Sequence, residues 1–175
     1  MPSRYYFLAS LPMLRFQDHA PISWENFLAE AKGNISDADY GLLCALDGGS
    51  DCGNAFLKSW NSMNRGLDGA VNDQRKAALG RDESSGIAFR DLDVEQAGSA
   101  AFSAKNPLEA ELILMKFRYD WLDREKGFEP FSEKALIAYA LQLRILLRKD
   151  LFTVESGNQE FTKVFDKVQN EIITD

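Results

Sequence analysis

Apolar residues recur at intervals of three and four in one segment of this chain after another, and they almost never alternate with polar residues. From Asp51 onward, for example, Phe56, Trp60, Met63 and Leu67 repeat at spacings of four, three and four. This spacing puts the apolar side chains on one face of a helix, whereas a half-buried strand needs alternation. The sequence therefore predicts an all-α protein, a bundle or layered array of about seven amphipathic helices.

Capping and stop residues mark the ends of these helices. Serine, aspartate and asparagine side chains accept hydrogen bonds at helix starts, and glycine is frequent just past helix ends. Gly66 and Gly69 are expected to interrupt the helical structure, so that one helix ends and another begins there. Together with the apolar spacing, these signals predict helices at about 23–32, 36–47, 51–67, 68–79, 93–102, 107–126, 132–148 and 158–173.

The segment 4–11 is an exception to the helical spacing. It carries paired aromatic residues, Tyr5 and Tyr6, without polar alternation. Periodicity therefore leaves both a short buried strand, as an extended N-terminal segment, and a buried helical turn open. In either case we expect the segment to lie inside the protein.

Two of the predicted helices carry apolar residues on more than one side. In the helix at 107–126, Trp121 lies on a different side from Leu122, and the helix at 132–148 has two apolar rows. Such helices must bury surface against neighbours on two sides, so both are expected to be central. The helix at 158–173 is apolar on one face only and is expected to form an outer layer. Its apolar residues are Phe161, Val164, Phe165, Val168 and Ile172.

Length and charge limit the classes of protein to which the chain can belong. A length of 175 residues suits one domain, 1–175, and the polar stretch near 80–92 is expected to be an exposed loop. The net charge of −7 repels phosphate backbones, so we expect no nucleic-acid partner. No apolar stretch approaches the ~20 residues that span a bilayer, and no signal peptide is evident, so we expect a cytoplasmic protein without direct membrane insertion.

The residues that carry most catalytic and metal chemistry are scarce. His19 is the only histidine, and Cys44 and Cys52 are the only cysteines, which is too few ligands for a structural zinc site. We interpret His19 as a surface residue and the cysteines as a reduced pair. Neighbouring carboxylates, such as Glu109 with Glu111, are interpreted as solvated helix faces. We therefore predict no catalytic, cofactor-binding or metal-binding residues.

A basic group, Arg144, Arg148 and Lys149, stands out in this acidic chain. It falls near a predicted helix C-terminus, where the helix dipole favours cations. Two interpretations remain open: the group caps the helix, or it meets the acidic surface of a partner protein.

Several stretches, read together, resemble a bacterial family that is encoded within V-type ATPase gene clusters, beside the genes for the catalytic and rotor subunits. The first are Tyr5-Tyr6-Phe7-Leu8-Ala9-Ser10-Leu11-Pro12 and Asn106-Pro107-Leu108-Glu109-Ala110-Glu111. Further matches are 60–67 with Arg65, 75–80, 138–148, Glu155-Ser156-Gly157 and Phe161. The resemblance thus covers most of the chain. Family members in turn resemble, weakly, the V-type ATPase C subunit, also called d.

The resemblance implies a non-catalytic role. The C subunit is a helical socket that joins the central rotor shaft to the membrane ring, so the chain would couple or assemble these parts during ion transport, peripheral to the inner membrane. Because the chain is much shorter than a full C subunit, a closed three-lobed funnel is not implied. The candidate anchors for such a partner are Trp60, Trp121, Arg144 and Arg148.

Two other hypotheses remain open at this stage. The first is a free-standing helical adaptor or regulator, which would associate with itself as a dimer and make no contact with the ATPase. The second is an enzyme with a deep pocket in which carboxylates such as Glu109, Glu111 and Asp120 converge.

Overall fold

The computed structural model describes residues 4–47, 53–81 and 91–152 of the chain. Every regular element within these ranges is an α-helix, so the all-α prediction is confirmed. The predicted helix at 158–173, Cys52 and most of the predicted loop at 80–92 lie outside the described residues. The helices are α1 (Arg4–Ser10), α2 (Trp24–Ala31), α3 (Asp37–Asp47), α4 (Ala55–Ala78), α5 (Leu92–Phe102), α6 (Pro107–Glu125) and α7 (Glu133–Asp150).

Side-chain caps fix the starts of several helices where the sequence predicts them. The Ser23 hydroxyl accepts a hydrogen bond from the Asn26 N–H at 3.2 Å, and Asn106 Oδ1 accepts from the Glu109 N–H at 2.8 Å. Ser132 caps α7 in the same way. Each cap satisfies an amide that has no partner inside its own helix. The caps therefore fix the residue at which each of α2, α6 and α7 begins, through hydrogen bonds between residues close in sequence.

One predicted helix boundary is wrong. We expected a break at Gly66 and Gly69, but α4 runs without interruption from Ala55 to Ala78, and both glycines are buried. Gly66 lies one turn before Ala70, which packs against Gly98 of α5. Glycine costs about 1 kcal/mol in a helix interior, but small residues let two helices approach closely.

The helices pack mostly in chain order. Helix α4 packs on α5, α5 on α6 and α6 on α7, while α2 and α3 pack on each other and on α7. Helix α7 is therefore central, as predicted, and it is the most buried of the seven described helices. Its buried residues are Ala135, Leu136, Ile137, Ala138, Ala140, Leu141, Gln142, Leu143 and Leu146.

The N-terminal segment is a helix, which settles the choice between helix and strand. Phe7 is buried and lies 5.8 Å from the ring of Phe27. The expectation that the whole segment lies inside is wrong, because Tyr5 and Tyr6 are exposed. A seven-residue helix that packs by one face leaves its other side chains in solvent.

Among the described helices, none is both long enough and apolar enough to cross a bilayer.

Candidate partner-binding surface

The first predicted anchor, Trp121, belongs to the hydrophobic core. Its side chain is 8% exposed, and its ring lies 5.9 Å from Phe56 and 5.6 Å from Trp60. Both neighbours belong to α4, so Trp121 fixes the packing of α6 against α4. Trp60 is half-buried at the edge of the same cluster. The two tryptophans thus lie together, but only the edge of Trp60 is open to a partner.

Arg144 makes contacts within the protein. Its guanidinium lies 5.4 Å from the centre of the Trp24 ring, and Nη1 donates a hydrogen bond to the Leu46 carbonyl. Leu46 lies in the last turn of α3, where carbonyls lack helical partners and carry partial negative charge. Arg144 therefore stabilises the C-terminal end of a helix other than its own, which the sequence did not indicate.

Arg148 and Lys149 lie at the C-terminal end of α7. Arg148 pairs with Glu111 of α6 at 3.0 Å and stays largely exposed, so it remains accessible to a partner. Lys149 donates to the Asp18 carbonyl at 3.0 Å. The basic group therefore divides: Arg144 and Lys149 hold the protein together, and Arg148 faces solvent.

The acidic residues considered for chemistry take part in local pairs. Glu109 accepts from the Lys105 N–H at 3.1 Å, directly before Asn106, the residue that caps the start of α6. Asp120 and Arg124 lie one turn apart on α6, and each pairs with a different residue. Asp120 pairs with Lys116, one turn away on the same helix, and Arg124 pairs with Asp93 of α5 at 3.0 Å. Arg124 instead joins two helices, because α5 brings an aspartate within its reach.

His19 is exposed, as predicted, and its Nδ1 lies 3.0 Å from Asp150 Oδ1. The Asp150 carboxylate also accepts from the Ala20 N–H at 2.8 Å, which fastens the connection between α1 and α2 to the end of α7. Cys44 is an exposed free thiol. Across residues 4–47, 53–81 and 91–152, no group of three or more His, Cys, Asp or Glu side chains is arranged to hold a metal ion.

An exposed aromatic cluster was missed by the sequence reasoning. The Tyr5 ring lies 5.3 Å from Tyr6, edge to face, and 4.2 Å from Phe131. Tyr6 is 74% exposed. Phe128, three residues before Phe131 in the connection between α6 and α7, projects fully into solvent. We call Tyr5, Tyr6, Phe128 and Phe131 the aromatic surface. The Tyr5-Tyr6 pair is visible in the sequence, but its apolar neighbours predict an interior position for it.

A shallow groove lies beside the aromatic surface, between α3 and the starts of α4 and α7. Its wall includes Gly41, Leu42, Asn54 and Glu133. Asn54 Nδ2 donates to Glu133 Oε1 at 2.6 Å, so these polar groups already have partners.

Comparison with known proteins found no matching family model, no matching curated protein and no matching solved structure.

Proposed function

We propose that this chain is a non-catalytic subunit of a bacterial V-type ATPase, with a role like that of the C subunit. In this role it joins parts of the central rotor to the membrane ring on the cytoplasmic side, and it supports ion transport without carrying out chemistry. The proposal starts from the sequence resemblance described above. The aromatic surface is the observation that supports a docking role most directly.

The composition of the aromatic surface suits a protein interface. Tyrosine is enriched among the residues that dominate binding free energy, because a rigid ring buries a large area and loses little rotamer entropy. Tyr6 and Phe128 are exposed in the isolated chain. Large apolar side chains that cluster in solvent mark interaction sites more often than chance. A partner subunit that covered these side chains would remove them from water, and this burial would contribute favourable free energy to binding.

The helical body behind this surface is suited to transmitting force. Tyr5 contacts Phe131 just before α7, and α7 is buried among α2, α3 and α6. A load applied at the aromatic surface would therefore pass into α7, which has the most buried residues of the described helices. Close-packed interiors have low compressibility and transmit strain.

The proposal is tested by affinity purification of the tagged chain from its own host in mild detergent, with mass spectrometry of the proteins that co-elute. We expect the rotor and membrane-ring subunits in fixed ratio. The double variant Tyr6→Ser with Phe128→Ser should lose them. The control variant Leu79→Ser with Leu92→Ser removes two exposed leucines elsewhere and should retain them.

Other outcomes separate the remaining hypotheses. If the chain elutes alone or with unrelated proteins, it is not a subunit of the ATPase. Recovery of a self-associated dimer without ATPase subunits would favour the free-standing adaptor. If both double variants lost the ATPase subunits to the same extent, the aromatic surface would not be the docking site.

A further inference from the structure

Among the described residues, no lysine or arginine lies over the ring faces of the aromatic surface. Other rings of the protein do have such partners. Lys116 and Lys149 each lie 5.8 Å from the centre of the Phe16 ring, and the Arg144 guanidinium lies 5.4 Å from that of Trp24. The face of an aromatic ring carries partial negative charge and attracts cations. The exposed rings of the aromatic surface can therefore accept a cation from another molecule.

Two exposed carboxylates lie in the same stretch of chain as two of these rings. Glu129 stands between Phe128 and Phe131, and Glu133 follows in the first turn of α7. Asn54 Nδ2 donates to Glu133 Oε1 at 2.6 Å, but a neutral amide does not cancel the charge of the carboxylate. Glu129 makes no ion pair with any residue in the described part of the chain. This side of the aromatic surface is therefore acidic.

The side formed by α1 and α3 has the same sign. Arg4, next to Tyr5, binds both carboxylate oxygens of Asp39, so these two charges cancel each other. Asp37, in the first turn of α3, is exposed. Its carboxylate has no ion pair within the ranges that the structure describes. Asp37 therefore adds a further negative charge on this side.

The charges around the aromatic surface sum to a negative value. Residues 4–6, 36–39 and 128–134 carry four acidic and two basic side chains, which leaves a charge of −2. The basic side chains are Arg4, which is paired, and Lys134. The whole chain carries −7. Such a surface repels acidic segments and phosphate groups and attracts cationic segments.

We propose that the aromatic surface binds an arginine-bearing segment of the partner protein, with guanidinium groups on the ring faces and next to Glu129 and Glu133. This inference rests on the docking role proposed above and names the chemistry of the partner. Arginine suits the surface better than lysine, because a planar guanidinium stacks on a ring and also donates in a fork to a carboxylate. A wholly apolar partner would bury the two carboxylates without partners, which is unfavourable.

The groove beside the aromatic surface suits the stem of an arginine side chain. Leu42 and Gly41 give its wall an uncharged part, and Glu133 gives it an acidic part. The methylene groups of an arginine bury well against apolar surface while the charged end stays near polar groups. An arginine in the groove would thus lie against Leu42 and place its guanidinium beside Glu133.

Binding of a tripeptide to the full chain, followed by NMR of the aromatic ring signals, tests the proposal. The probe is acetyl-Arg-Leu-Arg-amide. The control is the same peptide with citrulline for arginine, which keeps nearly the same shape without the charge. We expect saturable shifts at the four rings of the aromatic surface and about fivefold tighter binding of the arginine peptide. Equal binding of the two peptides overturns the proposal, as do equal shifts at Trp24 and Phe152.

A pair of variants tests the two carboxylates. Glu129→Gln with Glu133→Gln should weaken binding of the arginine peptide about fivefold, because two ion pairs are lost. The control, Glu30→Gln with Glu95→Gln, removes two exposed charges on α2 and α5 and should bind as wild type does. The same affinity in both double variants overturns the assignment. Backbone amide spectra show whether the variants are folded, and the comparison of the two peptides needs no variant.

Neither measurement uses the ATPase, so the two proposals can fail separately. If the arginine peptide binds as expected but no ATPase subunit co-elutes with the chain, the chemistry of the surface holds and the proposed function is wrong. If the ATPase subunits co-elute but the two peptides bind equally, the function holds and the arginine-bearing partner is wrong.

Discussion

Arg4 donates from Nε and Nη2 to the two carboxylate oxygens of Asp39, at 3.2 and 2.6 Å. The Asp39 side chain is only 7% exposed, and it also accepts from the Ser36 hydroxyl at 2.9 Å. The two residues are 35 positions apart, so this ion pair fastens α1 to the start of α3. It thereby holds Tyr5 and Tyr6 in place at the aromatic surface.

Arg4→Met should destabilise the protein by about 2 kcal/mol, because it leaves a buried carboxylate with fewer partners. Urea denaturation measures the change. The same substitution at the exposed Arg75 is the control and should stay within about 0.5 kcal/mol of wild type. An equal loss at both positions would mean that the Arg4 pair contributes nothing specific.

Gly98→Ala should destabilise the contact between α4 and α5. A Cβ at this position would lie 2.7 Å from the Ala70 Cβ, inside the distance that real side chains adopt. Overpacking of this kind costs about 1–3 kcal/mol, more than the improved helix propensity returns. Thermal unfolding measures it, with the neighbouring exposed Ser99→Ala as control. Adding Ala70→Gly should restore part of the loss; a Gly98→Ala protein as stable as wild type would refute the close packing.

Trp121→Ala should lower the stability of the folded protein, whatever its effect on the binding of a partner. Removing a buried tryptophan leaves a cavity between α4 and α6 and costs about 3–5 kcal/mol. Trp60→Ala should cost less, since Trp60 is already half-buried. Chemical denaturation of both variants gives the comparison. A stable Trp121→Ala protein that had lost its partner would instead support the original assignment of Trp121 as an anchor.

Asp150 should make stability depend on acid pH. Burial opposes its ionisation, but hydrogen bonds with the Ala20 N–H and with His19, together with the charge of Lys149, lower its pKa below the ordinary value. A lowered folded-state pKa means that the ionised carboxylate stabilises the protein above about pH 4, and that this contribution is lost as the pH falls through the folded pKa.

Asp150→Asn tests this dependence. At neutral pH the variant should be less stable than wild type by about 1 kcal/mol, because the bond to Ala20 loses its charged acceptor. The difference should shrink as the pH falls well below 4, since the wild-type carboxyl then becomes neutral as well. Denaturation curves across this range measure both values. A difference that stays constant with pH would exclude Asp150 as the titrating group.

Tyr139 should produce the opposite dependence at alkaline pH. Burial, followed by the negative charge of Glu30, raises the pKa of its hydroxyl, which donates to the Pro12 carbonyl at 2.8 Å. Above about pH 10 an unfolded tyrosine loses its proton while the folded one keeps it, so stability falls as the pH rises.

Tyr139→Phe should be about 1 kcal/mol less stable at neutral pH, because the hydrogen bond to Pro12 is lost. Its stability should also fall less steeply than that of wild type at alkaline pH. Tyr6→Phe, at an exposed position, controls for the neutral-pH loss. Identical alkaline slopes for wild type and Tyr139→Phe would contradict the predicted role.

The sequence by itself determined the helical class and most helix boundaries. These features depend on interactions within a few residues: the apolar spacing along one face, the caps at Ser23, Asn106 and Ser132, and the stop at Gly127, which takes the left-handed conformation at φ 76°. The central positions of α6 and α7 were also predictable, because a helix that is apolar on two sides needs two neighbours.

Only the tertiary structure decided which residues face solvent and which helices meet. The glycines of α4 are buried and do not interrupt the helix, Arg144 caps a helix far away in sequence, and Trp121 enters the core while Tyr6 stays outside. A one-dimensional pattern gives the apolar faces of each helix but not their partners. Which helices pack together depends on how several apolar faces are buried at once. The aromatic surface could therefore be located only once the helices were placed against one another.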